Sequence, residues 1–437
     1  MKKKLVVFSL DAMVREDVEY LKTLPRFKFY FQNKYSEVKT IRSIYPTITY
    51  PVHTSIATGC YPDKTGVTNN YPFSTETGEL PWCWFHDVVK CPDIFDIAHD
   101  AGLKTAACFW PVTGNHPSID YLINEYWIQP GETLSEGFKR NGSNKEMLAI
   151  IDKNKGLLPA SFVHGGRKKF VQQPYLDNFI VECTCDIIEQ YKPDVLFLHG
   201  GYMDHVRHQT GLFNSTVTEG IKLCDDWIGQ IMNSLNKAGI LDETNIVLLS
   251  DHGQLGIVRT VNINMFFLNR GWITVDAEGK IQDWKVFSFS NAMSTLIYVK
   301  DKKDEPEVEK TLCEMAREGI YGFTEVFNRK EAKDKYHLAG DFSFVLESDG
   351  YSSFGNKTQY PIIQKLNNED FIHGKATHGY LPEKGPQPFF LCMGPDFKQG
   401  VVLERRDIVD EAPTFAKILD CKFPYTDGVC MDEILNI

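Results

Sequence analysis

Three short apolar runs in this chain each lead into a carboxylate. Lys4-Leu-Val-Val-Phe-Ser-Leu10 runs into Asp11, Asp194-Val-Leu-Phe-Leu-His-Gly200 is followed by Asp204, and Asn245-Ile-Val-Leu-Leu-Ser250 runs into Asp251. Runs rich in β-branched and aromatic residues, without polar alternation, suit strands buried on both faces of a parallel sheet. Helix-like segments between them predict an α/β fold with helices on both faces. Ligands of such sheets bind beyond the carboxyl ends of the strands, so three aspartates meet at one edge. One Asp after a strand is an ordinary turn or cap residue. Three together are costly unless cations lie between them.

The other elements fill in around these strands. Residues 85–101 read as helical, Leu103 to Phe109 as a strand, and 110–114 as a loop. Residues 130–172, rich in Gly, Lys, Asn and Ser, are expected to be irregular with a helix near 144–153. Helices are expected at 176–191 and 214–238, the first stopped by Lys192-Pro193 and the second by Gly239. From about 258 to 360 the texture changes: strands at 295–300 and 341–347 flank a charged helix at 305–319, a small α+β insert. Residues 387–393 resume the main sheet, and 407–419 read as a helix. The expected organisation is a core of 1–257 and 361–437 with a 258–360 cap.

Composition sets limits on partners. A net charge of −11 argues against a nucleic-acid polymer, which needs many Lys and Arg on its phosphates. Eleven cysteines, an odd number with no Cys-x-x-Cys, read as thiols in a reducing compartment. The Met-Lys-Lys-Lys start leads into an apolar run too short for a signal peptide, and no stretch approaches a membrane span. A cytoplasmic protein without membrane contact is the expectation.

The stretch Ile44 to Gly59 carries the second signal. Pro46 and Pro51 bracket Thr47, Ile48, Thr49 and Tyr50, and Gly59 closes the run from Val52 to Thr58. Pro at the start and Gly at the end predict a short helix over 51–58 with Thr49 and Tyr50 at its mouth. A helix N-terminus suits an anion such as phosphate, and a hydroxyl placed there becomes a nucleophile if its pKa is lowered. For this helix taken alone, the plainer reading is that Thr47 or Thr49 merely caps it.

Histidines supply further ligand chemistry. His208 follows Asp204 by four residues, His252 follows Asp251 directly, and His373-Gly-Lys-Ala-Thr-His378 comes late. Mixed carboxylate and imidazole donors suit Zn²⁺ with an open catalytic position. His205 reads as a pocket-lining neighbour of this pattern, and His53 as a core or helix-end residue. His86, His99, His116, His164 and His337 show no partner pattern and read as structural or surface residues.

Taken in order, these pieces resemble the type I phosphodiesterase/nucleotide pyrophosphatase branch of the alkaline phosphatase superfamily. The matching residues are Asp11, Pro-Thr-Ile-Thr-Tyr-Pro-Val-His, Thr-Gly-Cys-Tyr-Pro-Asp-Lys-Thr-Gly, Asn69-Asn70, Trp110-Pro111, Asp204 with His208, Ser-Asp-His-Gly and Thr-His-Gly-Tyr380. The resemblance implies an alkaline-phosphatase-like core with a mostly parallel sheet. It implies Thr49 as nucleophile, one Zn²⁺ on Asp204, His208 and His378, and a second on Asp11, Asp251 and His252 that also faces the Thr49 hydroxyl. His373 fits the pattern less well than His378. Asn70, with Asn69 as the adjacent alternative, would hold a phosphoryl oxygen together with the Thr49 amide. Tyr50 would line the substrate pocket or pack into the core.

The activity implied is two-zinc hydrolysis of phosphodiester or pyrophosphate bonds in small nucleotide-like molecules through a phospho-threonine. Alternatives are a phosphonoacetate-hydrolase-like enzyme, a phosphomonoesterase, or a metal-dependent binding protein without catalysis. No Cys/Ser-x-Pro-x-Arg is present, which speaks against a sulfatase.

Overall fold

The computed structural model describes residues 3–76, 81–159, 162, 173–367 and 373–437. Its largest element is an eight-stranded sheet. Six of the strands come early: β1 (Lys4–Leu10), β2 (Ser36–Arg42), β3 (Thr105–Cys108), β4 (Tyr121–Ile123), β5 (Val195–Gly200) and β6 (Thr244–Leu249). Phe390–Met393 and Val402–Asp407 complete it, in the order 402–407, β2, 390–393, β6, β1, β5, β3, β4. All neighbours are parallel except those of Phe390–Met393, which runs against both β2 and β6. The three predicted central strands are therefore adjacent, with β1 between β5 and β6.

Strand periodicity splits the core in two. Val6, Phe8 and Leu10 point to one face, under the helices Tyr175–Tyr191 and Ser215–Lys237. Leu5 and Val7 point to the other, under Thr49–Thr58, Ile94–Asp100 and Glu411–Ile418. Each fully buried large side chain in these layers contributes about 1.5–3 kcal/mol.

Several expectations shift in detail. The helix expected at 85–101 is broken: a 3₁₀ turn spans His86–Val88 and the α-helix begins only at Ile94. Pro92 disfavours helix before it, and the Asp93 side chain caps the Ile94–Asp100 helix by accepting from the Phe95 and Asp96 N–H groups. Within the described part of the 130–172 segment the expected helix lies at Lys145–Asn154, and a second one, not expected, at Leu134–Arg140. A reciprocal Thr133–Glu136 capping box starts the latter. His164 lies outside the described residues. All eleven cysteines are free, and no described helix is long and apolar enough to cross a membrane.

Between β6 and Phe390 the chain builds a separate antiparallel sheet, Val286–Asn291, Ser294–Val299, Phe344–Ser348 and Phe323–Asn328 in that order. Val286, Phe287 and Leu346 of this sheet share their own hydrophobic cluster with Leu312 of the Glu305–Glu318 helix.

Candidate metal centre and nucleophile

The site lies at the carboxyl edge of the main sheet. β1 delivers Asp11, β6 delivers Asp251 and His252, and the Tyr202–Thr210 helix after β5 carries Asp204 and His208 one turn apart. Arg207 on that helix ties it to β1: its guanidinium donates to both Asp17 oxygens at 2.8 and 2.6 Å and to the Ala12 carbonyl at 2.5 Å. His378 arrives from far along the chain, where Ala376–Thr377 pairs antiparallel with Leu255–Gly256 just beyond His252. Gly379 fixes the turn after it. Its φ is +90°, and a Cβ there would lie 1.8 Å from the Asn291 carbonyl oxygen.

Two candidate ligand groups result, Asp204 with His208 and His378, and Asp11 with Asp251 and His252, each with donor atoms within 4.8 Å of one another. They abut, since the His252 and His378 rings stack at 4.1 Å. In each histidine Nδ1 faces a backbone carbonyl: Ala376 for His208 (2.7 Å), Thr47 for His378 (3.0 Å) and Gly253 for His252 (3.2 Å). A carbonyl only accepts, so Nδ1 carries the proton and Nε2 turns a lone pair to the cluster. Burial pushes His252 down to about 4 and His378 to about 3, which favours these neutral rings.

The carboxylates face those lone pairs. Asp251 Oδ2 lies 3.1 Å and Asp11 Oδ1 3.6 Å from His252 Nε2, and both oxygens are buried without a hydrogen-bond partner among the described residues. Asp204 contacts His208 Nε2 at 3.2 Å and His378 Nε2 at 3.7 Å. Burial, then Asp251 and Asp204, raise the Asp11 carboxyl well above the usual range. Burial also raises Asp204, but the facing histidines outweigh it and hold that carboxyl low. Acceptors aimed at acceptors, with orphaned carboxylate oxygens among them, fit divalent cations of the zinc type.

Thr49 stands against this edge. The helix runs Thr49–Thr58, two residues earlier than expected, with every residue buried and Gly59 as its left-handed end (φ +67°). Thr49 is thus its first residue, with Oγ1 3.3 Å from His252 Nε2. Its N–H makes no backbone hydrogen bond among the described residues and lies at the positive end of the helix. Asn70 Oδ1 accepts the Tyr50 N–H at 2.9 Å, which fixes the amide so that Nδ2 is left to donate into the cleft that Asn70 lines. His53, on the same helix, bridges Ser9 Oγ and the Thr49 carbonyl at 2.8 Å each.

Two clefts meet at this hydroxyl and share Thr49, Trp82 and Asp204 as walls. One, of about 600 Å³, is bounded by Asn69, Asn70, Asn291 and Asn356, and includes His373 at its edge rather than in a ligand group. The other, of about 640 Å³, is bounded by Glu125, His199, His205 and three aromatic rings. Tyr50 corrects the expectation of a substrate contact: it is fully buried, packs under Trp82 at 5.2 Å between centroids, and lines neither cleft. Trp82, half-buried, lines both clefts in its place.

Sequence reasoning misses His199 and Glu125. His199 Nε2 lies 3.1 Å from Asp11 Oδ2, the oxygen turned away from His252. That contact holds the Asp11 oxygen that is turned away from the His252 ring. The apolar pattern of β5 hides His199 among Val, Leu and Phe, but its place near the carboxyl end of the strand was a signal.

A third His/Asp group, His86, Asp93, Asp96 and His116, joins residues expected to be structural. His116 Nδ1 accepts the Ser118 N–H, so Nε2 carries the proton and donates to Asp93 at 2.9 Å. In that tautomer His116 offers no lone pair to an ion, and Asp93 and Asp96 take part in capping the Ile94–Asp100 helix.

This combination of sheet, edge ligands and hydroxyl is an alkaline-phosphatase-like α/β fold. Structures of murine ectonucleotide pyrophosphatase/phosphodiesterase 5, one of them the inactive form in complex with AMP, match it with a TM-score of 0.68 and 18% identity over 100% of both chains. The family model for type I phosphodiesterase/nucleotide pyrophosphatase matches residues 5–381, and the chain belongs to that family. Similar relatives include ectonucleotide pyrophosphatase/phosphodiesterase 1 of Saccharomyces cerevisiae, 23% identical over 91% of this chain and 54% of its own length. Family member 3 of Rattus norvegicus is 22% identical over 92% of this chain and 40% of its own length. Venom phosphodiesterase 2 of Crotalus adamanteus is 22% identical over 90% and 42%. The chain therefore spans about half the length of these curated relatives.

Proposed function

We propose that the protein hydrolyses phosphodiester or pyrophosphate bonds of small, nucleotide-like molecules, with Thr49 as nucleophile. The observation that carries this reading is the Thr49 hydroxyl at a helix N-terminus, in contact with one of two abutting Asp/His groups. Asp204, His208 and His378 would hold one Zn²⁺, and Asp11, Asp251 and His252 the other. Bound there, such ions lower the pKa of a neighbouring hydroxyl and stabilise charge on the departing oxygen.

Thr49 Oγ1 attacks phosphorus, the new P–O bond forms as the bond to the departing alcohol or phosphate breaks, and water later cleaves the phospho-threonine. The Thr49 N–H and Asn70 Nδ2 donate to a non-bridging oxygen, a role worth about 3 kcal/mol per donor. In this reading residues 1–257 and 361–437 form the catalytic core, and 258–360 a cap that contributes Asn291 and Asn356 to one cleft wall.

A diester is favoured over a monoester or a phosphonate. Among the described residues no lysine or arginine lines either cleft, so the second negative charge of a monoester has no side-chain clamp. The test is zinc-loaded protein with p-nitrophenyl thymidine monophosphate. Wild type releases nitrophenol; Thr49→Ala retains its zinc and loses turnover by at least about a thousandfold, as loss of a nucleophile does. Undiminished turnover in Thr49→Ala, or none in wild type, defeats the reading.

A further inference from the structure

Gln254 stands between the two candidate ligand groups without lining either cleft. It comes directly after Asp251-His252-Gly253. The chain then enters Leu255–Gly256, the strand that pairs with Ala376–Thr377 just before His378. Its side chain is fully buried and crosses to the Tyr202–Thr210 helix. There Nε2 donates to the Asp204 backbone carbonyl at 3.0 Å and to Asp204 Oδ1 at 2.5 Å. A carbonyl and a carboxylate only accept, so the nitrogen end of the amide must face Asp204.

The amide is unevenly satisfied. Both Nε2 hydrogens go to one residue, while Oε1 is buried without a hydrogen-bond partner among the described residues. A buried carbonyl oxygen without a partner is unfavourable, and an apolar side chain of similar length would fill the space without one. Packing therefore gives no reason for a polar group here, whereas the two contacts to Asp204 do.

We propose that Gln254 is a positioning residue for Asp204, holding Oδ1 so that Oδ2 faces the ion that Asp204, His208 and His378 would share. The inference rests on the two-ion reading above and assigns a residue outside both groups to one of them. With Oδ1 held, Asp204 Oδ2 lies 3.2 Å from His208 Nε2. The donor is uncharged. It orients the carboxylate and leaves its charge to an ion, where a lysine or arginine in the same place would compete with one. The segment 251–254 thus carries two ligands of one group and the support of a ligand in the other.

The test is zinc affinity, read by competition with a chelating dye, in two backgrounds that each keep one ligand group. His252→Ala keeps Asp204, His208 and His378, and His378→Ala keeps Asp11, Asp251 and His252. Gln254→Met is expected to weaken zinc at least about tenfold in the His252→Ala background, as loss of an outer partner of a ligand does. In the His378→Ala background it should change affinity by less than about twofold, as separate sites do. Unchanged affinity in the His252→Ala background overturns the proposal. An equal loss in both backgrounds also overturns it, because that marks a residue supporting the fold in general. Gln254→Leu, likewise without an N–H, should repeat the result, and retained affinity in either variant defeats the inference should the other fail to fold.

A second measurement keeps both ligand groups. With p-nitrophenyl thymidine monophosphate, Gln254→Met should need at least about tenfold more zinc for half-maximal turnover, in step with the lost affinity. KM for the ester at saturating zinc should stay within about twofold of wild type, since the residue lines neither cleft. A raised KM with an unchanged zinc requirement overturns the proposal, because a wall residue behaves that way. Failure of the hydrolytic reading shows separately, as no nitrophenol from wild type, while the zinc comparison still decides the role of Gln254.

Discussion

His199 shows how a single side chain governs a ligand it resembles. On the proposed two-ion site Asp11 would turn one oxygen to an ion, and the 3.1 Å contact to His199 holds the other, Oδ2. His199→Ala is expected to weaken zinc binding about ten- to a hundredfold, as loss of an outer partner typically does. His199→Gln, which keeps an N–H, should lose less. Competition with a zinc-chelating dye reads both, and unchanged affinity in His199→Ala would show that Asp11 is fixed by other contacts.

At this scale the sequence was most informative where residue type is chemically restrictive. Asp11, Asp204, His208, Asp251, His252 and His378 could each be named, and the structure gathers them into two groups. Tyr50 could not be placed, because whether the ring beside a nucleophile faces cleft or core depends on packing that only the fold decides. Trp82 and Glu125 carry no local pattern at all, and their relevance arises from neighbours distant in sequence.

Among elements, the Tyr202–Thr210 helix illustrates placement by a buried ion pair. Arg207 and Asp17 are 1% and 3% exposed, and the pair locks the Asp204/His208 helix against the turn after β1. Arg207→Ala leaves Asp17 buried and unpaired, and should cost about 3–5 kcal/mol in urea unfolding. Asp17→Asn added to it should recover part of that loss. A cost below about 1 kcal/mol would mean that the helix is held mainly by apolar packing. Buried strands β1, β5 and β6 were legible from composition, as were the helices at 175–191 and 215–237 from periodicity. β2, half-exposed along its length, has no such run, and the 85–101 segment misled because Pro92 divides a sequence that is otherwise helix-compatible.

For the molecule as a whole, the seam between the main sheet and the antiparallel insert is expected to respond to pH. Glu347, on Phe344–Ser348, is fully buried and accepts from Tyr45 (3.0 Å), Lys384 (2.9 Å) and the Leu381 N–H (3.1 Å). Burial, only partly offset by Lys384, raises its carboxyl to about 7. The folded value lies above the unfolded one near 4.5. The group's contribution is therefore fully present below about pH 4.5 and is lost as pH rises through 7. Relative to Glu347→Gln, which does not titrate, the wild type should lose stability between pH 5 and 8 by about 3 kcal/mol at most. Parallel urea titrations at the two pH values measure it, and a parallel course for both proteins would contradict the assignment. The boundary of the insert was visible in the sequence as a change of texture near 258; the contacts that weld it to Tyr45 and Leu381 were not, since they join residues some 300 and 34 positions from Glu347.

Both clefts converge on one hydroxyl while differing in character, one walled by asparagines and the other by rings and an acid. A molecule with unlike ends can therefore lie across the edge in only one direction. On the proposed activity, polarity of insertion, and with it which of two ester bonds faces the departing side, would be built into the walls rather than into the reacting groups.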